Sequence, residues 1–182
     1  MFSEEQQKKV LNLARESVKS YFQHKKPEYD EKFLCEKKGV FVTIKLNEQL
    51  RGCIGFPEPI YALGDAIIQS AQAAAFSDPR FPALGKSELK DIKIEVSVLT
   101  KPEEIKVKKP EEYFEKIEIG KDGLIARKGL QSGLLLPQVA TEWGWDSKEF
   151  LQQTCVKAGL SIDAWKDTDT KIFKFQVQVF SE

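Results

Sequence analysis

The sequence predicts an α+β fold, with antiparallel or mixed sheets flanked by helices. Apolar and polar residues alternate with period two at 39–47, 49–56, 92–99 and 171–180, as in half-buried strands. Other segments carry apolar residues at helical spacing. Strands and helices follow one another without the regular strand–helix–strand order of a parallel sheet, so antiparallel pairing is expected.

The first half of the chain predicts two helices around the first two strands. Ser3 and Gln6 have the spacing of a capping box, and apolar residues then recur at helical spacing as far as Phe22. Pro59 suits the first turn of a second helix, which we expect to run to Phe76. Because that helix is rich in alanine and apolar on more than one side, it should be well buried.

The second half begins with a charged connection, 101–116, which is the expected seam between two lobes and contains a short amphipathic helix near Tyr113. Short strands are predicted at 117–119 and 124–127. Pro137 should open a helix that ends at Trp143. A last helix is predicted between the cap residue Asp146, with Glu149 three positions later, and Gly159.

Length and composition are those of a folded protein. The chain has 182 residues, of which 41% are hydrophobic and 31% charged, so we expect one domain over 1–182, with a smaller lobe around 101–135. The formal net charge of zero argues against a nucleic-acid partner. No apolar run is long enough to predict a membrane span, and the first residues do not resemble a signal peptide, so a cytoplasmic location is expected.

Cysteine and histidine usage argues against disulfides and zinc. Cys35, Cys53 and Cys155 are an odd number and far apart, which favours a reducing compartment. His24 is the only histidine, and its neighbours indicate a solvated helix end rather than a catalytic position. We expect neither a metal nor a cofactor.

The hexapeptide 50–55, Leu-Arg-Gly-Cys-Ile-Gly, is the most informative segment. Residues two apart on a strand share a face, so the alternation predicts a core face and a second face. The core face is predicted to carry Leu50, Ile54 and Phe56. The second face is predicted to carry Arg51, Cys53 and Gly55.

This second face suits a reactive thiol beside an anion site. Arg51 and Cys53 would lie about 7 Å apart at their Cα atoms, and a nearby cation favours a thiolate. Gly52 and Gly55 indicate close approach by a ligand or by another backbone. The alternative is that Cys53 is a small buried residue and that Arg51 pairs with an acidic side chain.

A second candidate group lies in the loop 77–82, which two prolines make rigid. Arg80 would suit a carboxylate or phosphate ligand. The alternative is that Arg80 pairs with a carboxylate and clamps the loop, while Asp78 caps local backbone groups.

Glu95 and Ser97 are predicted to share the non-core face of their strand. If that strand lies beside 50–56, they would join Arg51 and Cys53 in one polar cluster. Glu95 would then be a general base or, as the favoured alternative, the counter-ion of Arg51.

Two further residue types favour packing roles. Trp143 and Trp145 are predicted to pack between lobes rather than to stack on bases, because no basic stripe accompanies them. Cys155 lies within an amphipathic helix and is predicted to be in the core.

The hexapeptide 50–55 resembles the signature of the AMMECR family, which is named from a human chromosomal deletion syndrome. Four further blocks of the chain resemble the family in the same order, and the resemblance covers nearly the whole chain. These blocks are 78–84, 94–99, 133–139 and 150–160.

The resemblance implies an α+β fold with a larger and a smaller lobe, and a signature near their interface. It also implies a pathway shared with Memo-like and radical SAM proteins, whereas it implies no particular reaction. Phe56 departs from relatives that carry a small hydroxyl residue after the hexapeptide, so no role for such a hydroxyl is carried over.

Two functions remain open at this point. The first is a cytosolic binding or accessory module whose partner is a Memo-like or radical SAM protein, with the chain a monomer or a weak homodimer. The second is an enzyme that acts on a small anionic ligand, with Cys53 and Glu95 as catalytic residues. Its substrate-binding residues would be Arg51, Gly52, Gly55, Asp78, Arg80 and Ser97.

Overall fold

A computed structural model describes residues 2–25, 27–29 and 31–182. They form two compact units, of which unit 1 runs as far as Leu99 and includes Gln178–Glu182, and unit 2 is Thr100–Val177. Both contain helices and antiparallel strands, so the predicted α+β class is confirmed. The segment 101–135 lies in unit 2.

Unit 1 contains two long helices and most of a four-stranded sheet. Its elements are α1 Glu4–Tyr21, β1 Gly39–Leu46, β2 Gln49–Phe56, α2 Leu63–Phe76 and β3 Ile92–Leu99. The strand order is β2, β1, β3 and then the end of β7, Lys171–Ser181. The predicted capping box at Ser3 and Gln6 is present at the start of α1.

The core of unit 1 lies between its helices and one face of its sheet. Val42 is paired with Ile54 on one side and with Val96 on the other, which extends an apolar row across three strands. Helix α2 packs on α1, β1 and β2. This arrangement leaves β2 as the edge strand and turns the other face of the sheet away from the core.

Two predictions about the strands and helices of unit 1 are wrong. Leu50 is 43% exposed, because the register shifts between Ile44 and Lys45 and places Leu50 opposite Lys45, on the non-core face. Helix α2 begins at Leu63 rather than near Pro59. The segment before it is held by a bridge between Lys37 and Ala62 and by the Leu63 N–H, which donates to the Glu36 carbonyl.

Unit 2 contains short helices and the remaining antiparallel strands. Its elements are β4 Glu103–Glu104, α3 Tyr113–Lys116, β5 Asp122–Lys128, β6 Gln131–Leu135, α4 Pro137–Trp143 and α5 Ser147–Lys157. Strand β7 pairs with β4 and β5, and β5 pairs with β6. The predicted capping box at Asp146 and Glu149 is present, and Gly159 has a positive φ of 74° just past α5.

Two predictions in unit 2 are also wrong. No strand forms at 117–119, because the N–H groups of Lys121 and Asp122 both donate to the Glu118 carbonyl and close a turn there. Trp143 is 70% exposed and stacks on Trp145, with ring centroids 5.8 Å apart, rather than being packed away. Among the described residues, no helix has both the length and the apolar composition needed to cross a membrane.

Candidate functional site

The hexapeptide occupies the edge strand β2, where a loop from 77 to 85 satisfies the outward N–H and C=O groups of Cys53. The Cys53 N–H donates to Asp78 Oδ2 at 2.9 Å, and Arg80 Nη2 donates to the Cys53 carbonyl at 3.3 Å. A sheet edge otherwise presents unpaired N–H and C=O groups. Asp78 and Arg80 therefore take the place that a neighbouring strand would have at Cys53.

Asp78 and Arg80 form a close ion pair that orients the loop. Arg80 donates through Nε to Asp78 Oδ1 at 3.0 Å and through Nη2 to Oδ2 at 2.8 Å. Asp78 is buried, whereas the Arg80 side chain is 55% exposed. The hydrogen bond from Arg80 is the main reason that the pKa of Asp78 lies well below its usual range. The arrangement matches the predicted alternative in which Arg80 clamps the loop.

Arg51 is tied to the same loop through a different carboxylate. Its Nε and Nη2 donate to Glu88 at 2.9 and 3.2 Å, and Nη1 donates to the Pro82 carbonyl at 2.8 Å. The Arg51 hydrogen bond lowers the pKa of Glu88, with help from the Gly85 N–H. The prediction that Glu95 is the counter-ion of Arg51 is therefore wrong. Glu95 pairs instead with Lys45, at 3.1 Å.

A polar row crosses the non-core face of the unit 1 sheet. Thr43 on β1 lies opposite Cys53 on β2 and opposite Glu95 on β3. The Thr43 hydroxyl donates to Cys53 Sγ at 3.2 Å. Because β1 separates the other two strands, the backbones of Cys53 and Glu95 lie about 10 Å apart, and Glu95 is not the direct neighbour of Cys53 in the sheet.

Both glycines of the hexapeptide allow protein groups to approach closely. A Cβ at Gly52 would lie 1.9 Å from the Ala74 carbonyl oxygen of α2, on the core face. A Cβ at Gly55 would lie 2.2 Å from the Val40 carbonyl oxygen and 2.5 Å from Phe41 Cδ1. The sequence left open whether a ligand or another backbone comes close to these glycines, and in the structure it is another backbone.

Four of the predicted site residues have structural roles, whereas no catalytic role has been tested for the other predicted residues. Arg51, Gly52, Asp78 and Arg80 hold the edge strand to its loop and to α2. Ser97 is buried and lies opposite Phe41, which also lies opposite Gly55. The catalytic roles of Cys53 and Glu95 stay predictions.

Sequence reasoning missed three residues that contact the predicted ones, namely Thr43, Lys45 and Glu88. Thr43 and Lys45 could have been found from the sequence, because the alternation along β1 places both on its non-core face. Glu88 stands three residues after Gly85, and its carboxylate accepts the Gly85 N–H at 2.7 Å. In the described part of the chain, no group of three or more His, Cys, Asp or Glu side chains is placed to hold a metal ion.

We expect the three thiols of the folded protein to be alkylated in the order Cys35, Cys53, Cys155. Cys35 is exposed and Cys53 is half-buried. Cys155 has no exposed surface, and burial raises its pKa to about 11. Iodoacetamide labelling near neutral pH, followed by peptide mass measurement, tests this order. The prediction fails if Cys155 is labelled as fast as Cys35 before the protein unfolds.

Comparisons with known proteins agree with this architecture. A protein of Thermococcus onnurineus is 52% identical, over 95% of this chain and 88% of the relative. Protein TK0174 of Thermococcus kodakarensis is 50% identical over the same shares of the two chains, 95% and 88%. The crystal structure of the uncharacterized protein PH0010 from Pyrococcus horikoshii superposes with a TM-score of 0.82. It is 48% identical and covers 95% of this chain and 89% of that one.

The match to a family model extends over most of both units. The AMMECR1 model matches residues 11–180, which include the hexapeptide, the loop that holds it and the strands as far as residue 180 of β7. The chain belongs to the AMMECR1 family.

Proposed function

We propose that this chain is a cytoplasmic binding or accessory module that acts by engaging a partner protein, rather than by catalysis of its own. The partner is a Memo-like or radical SAM protein of a shared pathway, as the family resemblance implies.

The proposal rests on one observation: the arginines of the hexapeptide and its loop form ion pairs with carboxylates of the same chain. The enzyme alternative needs Arg51 and Arg80 to bind a small anion together, so both guanidinium groups must be free to reach it. Here Arg51 is 12% exposed and bound to Glu88, and Arg80 is bound to Asp78. Both arginines therefore stabilise the surface around β2 and leave it rigid for a partner.

Arg80 is the group of this surface best placed to meet a partner. Its side chain is 55% exposed while Asp78 fixes its direction. A pre-oriented guanidinium loses less conformational freedom when a carboxylate binds it. We therefore place Arg80 at the contact, opposite an acidic side chain of the partner.

Titration with purified partners tests the proposal. The Memo-like and radical SAM proteins of the same genome are each titrated against this protein, and we expect one of them to bind with a Kd of about 10 µM or tighter. Arg80→Gln should weaken binding about tenfold, because a desolvated charged hydrogen bond is lost. Lys86→Gln removes an exposed cation from the same loop region and serves as the matched control.

Two binding results would count against this proposal. Absence of binding by both partners at about 100 µM contradicts the proposal. Equal weakening by Arg80→Gln and Lys86→Gln would show general charge attraction and remove Arg80 from the contact. Thermal unfolding of each variant identifies any loss of binding that comes from unfolding.

The enzyme remains a second candidate because of one contact. The Thr43 hydroxyl donates to Cys53 Sγ at 3.2 Å, which holds the sulfur on the non-core face of the sheet. This sulfur would act as the nucleophile on a small anionic substrate. If Cys53→Ala binds the partner normally and is present at normal abundance, but fails to restore a deletion strain, the enzyme is favoured. Full restoration favours the binding module.

A further inference from the structure

Strand β6 is an edge strand of unit 2, and the proposed contact at Arg80 does not use it. It lies at one end of the strand order, where β5 is its neighbour. The strand at the other end of the order, β2, is covered at Cys53 by Asp78 and Arg80. The chain therefore covers the main chain of one edge strand at its centre, and the question is what covers the other.

The main-chain groups of Ser132 and Leu134 point away from β5. A two-residue turn joins β5 to β6, so Lys128 and Gln131 form a hydrogen-bonded pair, and hydrogen-bonded pairs alternate with non-bonded pairs from there. Ser132 and Leu134 belong to the non-bonded pairs. Within the described ranges, no hydrogen bond from another segment reaches their main chain. Their N–H and C=O groups are therefore available to an added strand.

Strand β6 lacks features that commonly prevent such pairing. Its residues, Gln-Ser-Gly-Leu-Leu at 131–135, include no charged side chain and no proline. Its register with β5 has no bulge. Leu130, in the turn before the strand, is fully exposed. An uncharged edge strand beside an exposed leucine favours the addition of another strand.

A cation beside the strand specifies the charge of the added segment. Gly133 lies against the end of α5, because a Cβ there would be 2.5 Å from the carbonyl carbon of Lys157. The Lys157 side chain is exposed, and it makes no ion pair with any residue that the structure describes. A segment with an acidic side chain opposite Gly133 would therefore be complementary in charge to this part of β6.

We propose that β6 binds an extended segment of a partner protein, which adds to the sheet as the next strand through the main chain of Ser132 and Leu134. The segment carries a carboxylate opposite Gly133, where it pairs with Lys157. Its β-branched apolar side chains on either side of the carboxylate lie on the opposite face, with Leu134. Main-chain hydrogen bonds supply the affinity, and the alternate side chains select the segment.

Amide hydrogen exchange of the free protein tests whether the edge is open. We expect fast exchange at Ser132 and Leu134, whereas the amides of Gly133 and Leu135 should be protected by β5. Protection of Ser132 and Leu134 in the free monomer would overturn the proposal, because the edge would already be paired. Protection that appears only at high protein concentration would also overturn it, since a second copy of this chain would be the occupant.

The binding probe is the peptide acetyl-Thr-Val-Glu-Val-Thr-amide, titrated against the isotope-labelled protein. We expect amide shifts concentrated at 131–135, with a Kd of about 1 mM. N-methylation of both valines removes the N–H groups that face β6 and should abolish binding. N-methylation of the glutamate blocks an N–H that points away from β6 and is the matched control. Equal loss of binding by the two methylated peptides would overturn the proposal, as would the absence of shifts at about 5 mM peptide.

The charge of the segment is tested with variants of α5. Lys157→Gln should weaken peptide binding about threefold, because an exposed ion pair is lost. Lys148→Gln removes an exposed lysine from the other end of the same helix and should leave binding unchanged. Equal weakening by the two variants would show general charge attraction and overturn the pairing with Lys157. No arm of the test involves Arg80, so failure here leaves the proposed function intact.

Discussion

Gly52→Ala is expected to lower the free energy of unfolding by about 3 kcal/mol or more, the largest effect of a single methyl group in the candidate site. The added Cβ would lie 1.9 Å from the Ala74 carbonyl oxygen and 2.9 Å from its carbon. Both atoms are backbone of α2, so relief requires the helix to move rather than a side chain to rotate. For a chain of this length, the loss corresponds to a fall in Tm of about 6–12 °C.

Gly85→Ala is the matched control for this prediction. The nearest atom to its added Cβ is Glu88 Oε2 at 3.3 Å, the end of a flexible side chain. Its effect should stay within about 0.5 kcal/mol, which is the usual range for surface substitutions. Thermal and urea unfolding compare the two variants. Similar unfolding of Gly52→Ala and the wild type would contradict the close packing of β2 on α2.

Asp78→Ala is expected to cost about 3 kcal/mol of unfolding free energy. The carboxylate is buried and accepts hydrogen bonds from the Cys53 N–H, the Arg80 N–H and the Arg80 guanidinium. Removing one partner of such a network leaves donors unsatisfied, and the edge of β2 loses its cover. Asp91→Ala, at an exposed aspartate of unit 1, is the control and should be close to neutral.

The same carboxylate should contribute to acid sensitivity. The pKa of Asp78 is lower in the folded protein than in the unfolded chain, where an aspartate has a pKa of about 3.9. The contribution of Asp78 to the free energy of unfolding is therefore complete above the pKa of the unfolded chain. This contribution is lost as the pH falls towards the pKa of the folded protein. Urea unfolding should be measured for the wild type and for Asp78→Asn from about pH 6 to pH 2. We expect the difference between their free energies of unfolding to become smaller below about pH 4. A difference that does not change with pH would contradict the lowered pKa of Asp78.

Local patterns predicted the strands of unit 1 well. The alternation at 39–47 corresponds to β1, and that at 92–99 corresponds to β3. Period two depends only on neighbouring residues, so it can be read from the sequence. The same reasoning placed Leu50 in the core incorrectly, because the irregularity at its neighbour Arg51 arises from the pairing of β2 with β1 and cannot be read from the residues around it.

The partners of the charged residues depended on contacts between distant parts of the chain. Arg51 meets Glu88, which is 37 residues away, and Lys45 meets Glu95, which is 50 residues away. Every charged residue has many acceptable partners of opposite charge, and the sequence does not rank them. Folding selects among them because strand order and loop path bring only certain pairs within hydrogen-bond distance.

The α+β class, the family and the helix caps at Ser3 and Asp146 could be read from the sequence alone, because each depends on local periodicity or on motifs along the chain. The three-dimensional structure was needed to show that Asp78 and Arg80 cover the edge of β2 at Cys53, and that Gly52 makes room for the backbone of α2. Those roles arise from the packing of segments more than 20 residues apart, about which local spacing carries no information.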